Sequence, residues 1–318
     1  MTASNLAPPA PPAIFIVGPT ACGKSALALS LSKQIPCEII SVDSAQVYRG
    51  MDIGTAKPDA AACAAVPHHL INIIDPTEAY SAARFRSDAL PLMAEISARG
   101  RVPLLVGGTM LYLRALIDGL SDLPEADAQT RRQIEAEAAQ KGWPAMHAEL
   151  ALIDPESAQR LKPGDSQRIG RALEIYRLSG VPMTSLLGRA TREPLPYRVL
   201  KIALMPNDRA LLHKRIALRF EEMVKLGLLD EVRELRRQYA LTPDLPSMRC
   251  VGYRQAWELL DGAASEKEFK MRSIAATRQL AKRQLTWLRA MSDMEQFDCL
   301  QNDLAARAAA RVGAFLTV

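Results

Sequence analysis

Short apolar runs alternate with longer amphipathic segments over the first 120 residues of the chain. The runs long enough for buried strands are 13–17, 38–42, 70–74, 101–106 and, much later, 199–204. Helix-like segments follow them, beginning with 26–33. Strands that alternate with helices are typical of a parallel sheet covered by helices on both faces. The pattern therefore predicts an α/β fold with a parallel sheet flanked by helices, and helices alone from residue 205 to the end.

The hydrophobic pattern changes near residue 121, where the strand-like apolar runs stop. Polar helical patterns separated by Gly and Pro follow, at 128–141, 143–152 and 166–179. We expect an inserted all-α domain at 121–185. It would interrupt a core domain formed by residues 13–120 and 186–318. The proline-rich residues 1–12 predict a disordered tail.

Composition is that of an ordinary globular chain. Of 318 residues, 48% are hydrophobic and 24% charged, and 40 Lys and Arg against 35 Asp and Glu give a net charge of +5. This mild excess permits RNA binding without requiring it. The five scattered cysteines form no C-x-x-C pair, which favours a reducing, cytoplasmic location. No apolar run approaches membrane-spanning length, so we expect no membrane partner.

The first strand runs directly into a phosphate-binding loop. It matches the pattern G-x-x-x-x-G-K-[ST] and is followed by a helix. Its residues are Gly18, Pro19, Thr20, Ala21, Cys22, Gly23, Lys24 and Ser25. Backbone N–H groups of such a loop cradle phosphate oxygens, Lys24 adds a positive charge, and the Ser25 hydroxyl suits Mg²⁺. The loop predicts a ligand that carries a di- or triphosphate.

Two further strands end in polar residues. Asp43 follows 38–42, and Thr109 follows 101–106 after two glycines. Because the carboxyl ends of parallel strands line one crevice, both side chains should meet the phosphate loop. Asp43 has an alternative interpretation as a helix N-cap. No carboxylate ends 101–106, where a nucleotide hydrolase usually holds Mg²⁺, and this favours transfer chemistry.

Seven motifs in order together resemble one enzyme family, the tRNA dimethylallyltransferases, also called tRNA isopentenyltransferases or IPP transferases. The motifs occupy 18–25, 42–48, 51–58, 107–112, 165–174, 249–255 and 278–289. The resemblance covers roughly residues 13–290 and includes the P-loop core with an inserted helical domain. Two loop positions vary: Ser25 stands where the family often has Thr, and Cys22 where it often has Ser.

The resemblance implies a reaction. A dimethylallyl group passes from dimethylallyl diphosphate to N6 of the adenosine 3′-adjacent to the tRNA anticodon, and diphosphate is released with Mg²⁺ as cofactor. By family analogy, Asp43 accepts the N6 proton or orients the amine, Thr109 steadies the bridging oxygen, and Lys24 stabilises the leaving charge. Arg219 would add positive charge at the diphosphate. Arg215, one helical turn away, leaves that last choice open.

Basic residues concentrate late in the chain. Residues 271–290 contain five cations and no acid, namely Arg272, Arg278, Lys282, Arg283 and Arg289. On a helix these five lie within a roughly 140° arc, a face suited to a phosphate backbone. A merely solvated helix face is the alternative.

The resemblance extends to tRNA contacts and assigns them to several clusters. We expect these contacts at Asp43, Ser44, Ala45, Gln46, Thr109, Arg131, Gln167, Arg168, Ile169, Gly170, Arg171, Arg249, Cys250, Val251, Gly252, Tyr253, Arg254, Lys282, Arg283, Gln284, Leu285, Thr286, Trp287, Leu288 and Arg289. Tyr253 could stack on a base. The partner would be an anticodon stem-loop, whose adenine must leave its stack to react. The chain has no self-complementary heptad pattern, so we expect a monomer.

Two other functions share these features. A small-molecule kinase also combines a phosphate loop with helices and arginines, and would consume ATP. A non-catalytic RNA-binding protein could use the loop as a nucleotide sensor, and would bind tRNA without turnover. The cationic C-terminal half favours the transferase over the kinase, because a metabolite kinase does not need it.

Overall fold

The computed structural model describes residues 10–121, 123–187, 195–291 and 293–317, and contains one sheet of six strands. The strands are β1 (Pro12–Val17), β2 (Cys37–Val42), β3 (His68–His69), β4 (Val102–Gly107), β5 (Arg198–Met205) and β6 (Glu295–Asp298). Their order is β3-β2-β4-β1-β5-β6, and every pairing is parallel. The predicted parallel α/β fold is confirmed.

Helices follow most of the strands. They are α1 (Lys24–Ser32), α2 (Ala60–Ala65), α3 (Ala82–Ala98), α4 (Met110–Asp118), α5 (Ala128–Lys141), α6 (Trp143–Ile153), α7 (Pro155–Arg160), α8 (Ser166–Ser179), α9 (Met183–Leu186), α10 (Arg209–Lys225), α11 (Leu228–Gln238), α12 (Tyr253–Leu260), α13 (Glu266–Arg289) and α14 (Leu304–Leu316). Asp side chains accept from backbone N–H groups at the starts of α5 and α8, which fixes both boundaries where the sequence predicts them.

The chain divides into two compact units. One comprises the chain up to Leu116 and from Leu195 onward, and the other is Ile117–Pro194. The second unit contains α5 to α9 and has its own apolar core, which includes Ile134, Met146, Leu150 and Leu173. The helical unit is therefore longer at both ends than the predicted 121–185. Of the predicted tail at 1–12, residues 1–9 lie outside the described residues, and Pro12 lies in β1.

The central strands of the sheet are continuously apolar and lie buried in the larger unit. β2 and β4 are buried along their whole length, and β1 along all but its first residue. Residues of α1 and α14, including Leu31 and Val312, pack against one face. Strands buried on both faces explain why the sequence shows apolar runs rather than alternation.

Two predictions about elements are wrong. Residues 70–74 are not a strand, because Leu70 (φ 59°) and Asn72 (φ 55°) adopt the left-handed conformation, and only His68–His69 pairs with β2. The C-terminal part is not purely helical, because β6 adds an edge strand beside β5. Its four residues, Glu-Gln-Phe-Asp, lack the apolar run that reveals a strand.

Gly107 permits the close pairing of β4 with β2. A Cβ at this position would lie 2.1 Å from the carbonyl oxygen of Val42, which is backbone and cannot rotate away. We expect G107A to lower the free energy of unfolding by about 1–3 kcal/mol or more, measured by urea denaturation. G313A is the matched control, because that site in α14 is open, and Ala should stabilise a helix by about 0.5–1 kcal/mol. Equal stability of the two variants would contradict the packing argument.

Candidate active site

A cleft of about 560 Å³ opens at the carboxyl ends of the strands, and all its lining residues belong to the larger unit. Lys24 and Ser25 reach it from the loop after β1, Asp43 from the end of β2, and Thr109 from the turn after β4. These four residues come together because parallel strands end at one edge of the sheet. Helices α10 and α13 supply the opposite wall.

The phosphate loop is held by its own lysine. Lys24 Nζ donates to the carbonyl oxygens of Gly18 (3.1 Å) and Pro19 (2.8 Å). Cys22 is buried in the core and is not among the residues that line the cleft. Ser25 is exposed and lines the cleft. The ammonium group of Lys24 is thus within the loop, ready to exchange carbonyl oxygens for phosphate oxygens.

Asp43 caps a turn rather than a helix, so its interpretation as a helix N-cap is wrong, and its role as a base stays a prediction. Its Oδ1 accepts from the backbone N–H groups of Ala45 (2.9 Å) and Gln46 (3.4 Å), which caps the turn after β2. No donor among the described residues contacts Oδ2. Thr109 ties this turn to β4, because its Oγ1 accepts from the Ser44 N–H (3.0 Å) and donates to Ser44 Oγ (3.3 Å). One carboxylate oxygen is therefore structural, and the other is available for chemistry.

The contacts of the two arginines favour Arg219 over Arg215 as the cation at the diphosphate. Arg219 lines the cleft and its Nη1 lies 3.4 Å from Thr20 Oγ1 in the phosphate loop. Arg215 instead donates to the carbonyl oxygen of Cys299. Burial lowers the pKa of the Arg219 guanidinium, and the negative charge of Asp43 opposes that shift. No described carboxylate forms an ion pair with Arg219, so its charge is available to an anionic ligand.

Sequence reasoning missed Glu231 on α11. Its carboxylate accepts from the backbone N–H groups of Asp52 (2.9 Å), Ile53 (2.6 Å) and Gly54 (3.2 Å), and from the Tyr253 hydroxyl (2.5 Å). Burial, together with this carboxylate, raises the pKa of Tyr253 well above its usual value. In sequence Glu231 is one of several charges on an amphipathic helix, and no spacing connects it with residues 52–54.

The loop that Glu231 holds forms part of the cleft wall. Gly54, Thr55 and Ala56 line the cleft, and the Gln46 side-chain amide donates to the carbonyl oxygens of Thr55 (3.4 Å) and Ala56 (3.3 Å). Gln46 belongs to the turn that Asp43 caps. Glu231 therefore stabilises the turn at Asp43 indirectly, because it holds the loop at 52–56 to which Gln46 is hydrogen-bonded.

Loss of the Glu231 carboxylate leaves three backbone donors and a phenol without a partner. We expect E231A to lower the free energy of unfolding by at least about 2 kcal/mol in urea denaturation. E234A, one turn along the same helix, removes a surface ion pair with Arg237 and should cost less than about 1 kcal/mol. If E231A and E234A were equally stable, Glu231 would not be what stabilises the loop at 52–56.

Four of the five cations predicted on one face of α13 have no described acidic partner. Arg278, Lys282, Arg283 and Arg289 are exposed, and none forms an ion pair with a described acid. Arg272 is also exposed, but its charge is partly balanced, because it pairs with Glu258 (3.4 Å) from α12 and Glu268 (3.0 Å) from its own helix. A count restricted to residues 271–290 could not show these two acids.

Several predicted tRNA contacts are buried in the larger unit. Leu285 and Leu288 pack into the interior, and Tyr253 is fully buried with its hydroxyl bonded to Glu231. The prediction that Tyr253 stacks on a base is therefore wrong. Cys250 lines the cleft, and burial raises its pKa to about 12. Trp287 lines the cleft with its ring 5.5 Å from the guanidinium of Arg114.

The predicted contacts of the helical unit are largely engaged in ion pairs. Buried Glu174 binds both Arg131 (3.0 Å) and Arg171 (2.8 Å), and Arg168 pairs with Asp165 (2.8 Å). The side chain of Ile169 is buried, which excludes it as a surface contact. The Arg131 side chain is still 52% exposed, so it can bind a phosphate while it balances Glu174.

The cleft offers ligands for Mg²⁺ but no complete metal site. Among the described residues, no group of three His, Cys, Asp or Glu side chains could hold a metal. The Ser25 hydroxyl lines the cleft, however, and Mg²⁺ is commonly held by one or two protein oxygens plus substrate phosphates. Asp43 could also bind the metal, but it would then be unavailable as a base. The residues present therefore fit a metal that arrives with a phosphate ligand.

The helices in the described part of the chain are too short or too polar to cross a membrane.

Comparison with known families gives two matches. The IPP transferase family model matches residues 46–291, and the isopentenyl transferase model matches residues 12–68. The chain is 59% identical over 310 residues to the tRNA dimethylallyltransferase of Dechloromonas aromatica, covering 98% of this chain and 99% of the relative. It is 62% identical over 294 residues to the enzyme of that name from a Janthinobacterium species, covering 92% and 94%.

Solved structures agree with the sequence relatives. A tRNA isopentenylpyrophosphate transferase from Bacillus halodurans has a TM-score of 0.70 at 38% identity, with 97% of each chain covered. A eukaryotic dimethylallyltransferase described as acting on tRNA has a TM-score of 0.81 at 26% identity, covering 96% of this chain and 80% of the other. Since the matches extend over nearly the whole length, the chain belongs to the tRNA dimethylallyltransferase family.

Proposed function

We propose that the protein transfers a dimethylallyl group from dimethylallyl diphosphate to N6 of the adenosine 3′-adjacent to the anticodon in tRNA, with release of diphosphate. The observation that carries the proposal is a single cleft in which a phosphate loop faces a carboxylate, Asp43, whose Oδ2 has no described partner. The cationic face of α13 borders that cleft through Arg283. Membership of the family supports the same reaction.

The donor diphosphate would lie in the loop after β1. Backbone N–H groups there bind phosphate oxygens, and Lys24 leaves the carbonyl oxygens of Gly18 and Pro19 to pair with them. Arg219 adds a second cation from α10. Ser25 and the phosphates would hold Mg²⁺, which would further neutralise the charge of the leaving diphosphate. These residues would lower the activation barrier mainly by placing positive charge at the leaving group before the reaction begins.

The acceptor amine would approach Asp43. As the bond from N6 to the allylic carbon forms, the bond from that carbon to the bridging oxygen breaks, and the N6 proton passes to Asp43 Oδ2. Oδ1 stays bonded to the turn, which fixes the carboxylate. Thr109 lies at the same edge of the sheet, after β4, and would donate to the bridging oxygen in place of Ser44 Oγ. General-base help of this kind contributes about 10²–10⁴-fold.

The RNA would lie along α13. Arg278, Lys282, Arg283 and Arg289, which pair with no described acid, would present their charge to its phosphates. The target adenine leaves its stack to reach Asp43, and the half-buried ring of Trp287 at the cleft offers a stacking surface. We further propose that the enzyme works in the cytoplasm as a monomer. The five cysteines are free, which suits a reducing compartment, and the sequence has no self-complementary heptad pattern that would favour an oligomer.

The test is a direct assay of transfer. The protein is incubated with Mg²⁺, labelled dimethylallyl diphosphate and unmodified tRNA, and the nucleosides are analysed by mass spectrometry. We expect N6-dimethylallyladenosine beside the anticodon. ATP consumption with an added metabolite would identify a kinase instead, and tRNA binding without product would identify a binding protein.

A further inference from the structure

Gln284 on α13 makes two hydrogen bonds that no charge or motif pattern indicates. Its Oε1 accepts from the backbone N–H of Thr20 (2.9 Å), and its Nε2 donates to the carbonyl oxygen of Gly108 (2.9 Å). Thr20 belongs to the phosphate loop, and Gly108 to the turn between β4 and α4. One side-chain amide from α13 thus joins the phosphate loop after β1 to the turn after β4.

The turn at Gly108 is shaped around this amide. A Cβ at Gly108 would lie 2.3 Å from Gln284 Nε2, so only glycine lets the side chain reach the carbonyl. The neighbouring Lys282 and Arg283 are exposed, whereas Gln284 is half-buried. The family resemblance places Gln284 among tRNA contacts, but its polar atoms are already bonded to protein backbone.

Thr20 is held from two helices at once. Gln284 takes its N–H, and Arg219 on α10 contacts its Oγ1 at 3.4 Å. These contacts to Thr20 therefore fix the position of the phosphate loop relative to Gly108. Thr109, the next residue, is bonded to Ser44 beside Asp43. Gln284 thus lies between the donor half of the cleft and the half that carries Asp43.

We propose that Gln284 is a positioning residue for transfer, one that fixes the phosphate loop against the Gly108 turn, and is not a tRNA contact. This inference rests on the proposed function. The distance between donor carbon and acceptor nitrogen depends on that spacing, and a misplacement of about 1 Å can cost on the order of 10²-fold in rate. Its loss should therefore appear in turnover and in diphosphate binding, with tRNA affinity retained.

The experiment compares Q284A with K282A, two residues away on the exposed face of the same helix. For Q284A we expect kcat to fall by about tenfold or more, and the Kd of inorganic diphosphate with Mg²⁺ to rise, while the Kd for tRNA is unchanged. For K282A we expect weaker tRNA binding with a salt slope shallower by about one. Weaker tRNA binding by Q284A at unchanged kcat would make Gln284 a tRNA contact and overturn the proposal.

G108A provides an independent test, because its Cβ would displace the Gln284 amide from the opposite side. We expect G108A to reproduce the loss of kcat, and the double variant to be no worse than the more impaired single variant. Multiplicative losses would mean that the two residues act separately, which overturns the proposal. Thermal unfolding checks that each variant is folded. If the wild type itself transfers nothing, the proposed function fails, and diphosphate binding still decides the role of Gln284.

Discussion

In D43A, we expect kcat for dimethylallyl transfer to fall by about 10²-fold or more while tRNA binding stays largely intact. The carboxylate has one oxygen engaged with the turn after β2 and one without a described partner in the cleft. Removing it leaves the N6 proton without an acceptor at the moment the new bond forms. The measurement is single-turnover transfer at saturating donor and tRNA, with tRNA affinity measured separately.

D43N separates chemistry from structure in this prediction. An asparagine oxygen can still accept from the N–H groups of Ala45 and Gln46, so the turn keeps its cap. The amide cannot accept a proton from N6. We therefore expect D43N to be as stable as the wild type in thermal unfolding, yet nearly as slow as D43A. Near-normal turnover in D43N would restrict Asp43 to the structural role of a turn cap.

The convergence of the proposed catalytic residues in one cleft was predictable, because it follows from the direction of the parallel strands. Once β1, β2 and β4 are recognised as parallel strands, Lys24, Asp43 and Thr109 must emerge at one edge of the sheet. The local residue types then suggest phosphate binding and proton transfer. Nothing in this inference requires knowledge of side-chain contacts.

Contacts between distant segments were not predictable. Glu231 binds the N–H groups of residues 52–54, which lie in a different part of the chain, and a carboxylate on a helix shows no periodicity that indicates such partners. Gln284 has the same character, because an uncharged polar residue within a cationic helix resembles a surface position. Arg272 shows the converse error, since its apparent excess charge is balanced by acids outside the counted segment.

For Arg219, we expect R219Q to lower kcat by about 10²–10³-fold, similar to the loss of one preorganised group that stabilises transition-state charge. The guanidinium lies partly buried at the phosphate loop, contacts Thr20, and pairs with no described carboxylate. A cation held in this way increases its interaction with the diphosphate as negative charge develops on the leaving oxygen. The Kd of inorganic diphosphate with Mg²⁺ should rise in the same variant.

R215Q is the matched control for this prediction, one turn away on the same helix. Arg215 donates to the carbonyl oxygen of Cys299 and does not line the cleft, so its loss removes equal charge without reaching the donor. We expect R215Q to keep the wild-type kcat and diphosphate affinity. If both variants lost activity equally, the effect would come from the general positive potential of α10. Of the two arginines, only Arg219 contacts the phosphate loop. A difference between the two variants would therefore identify a specific contact of Arg219 with the donor.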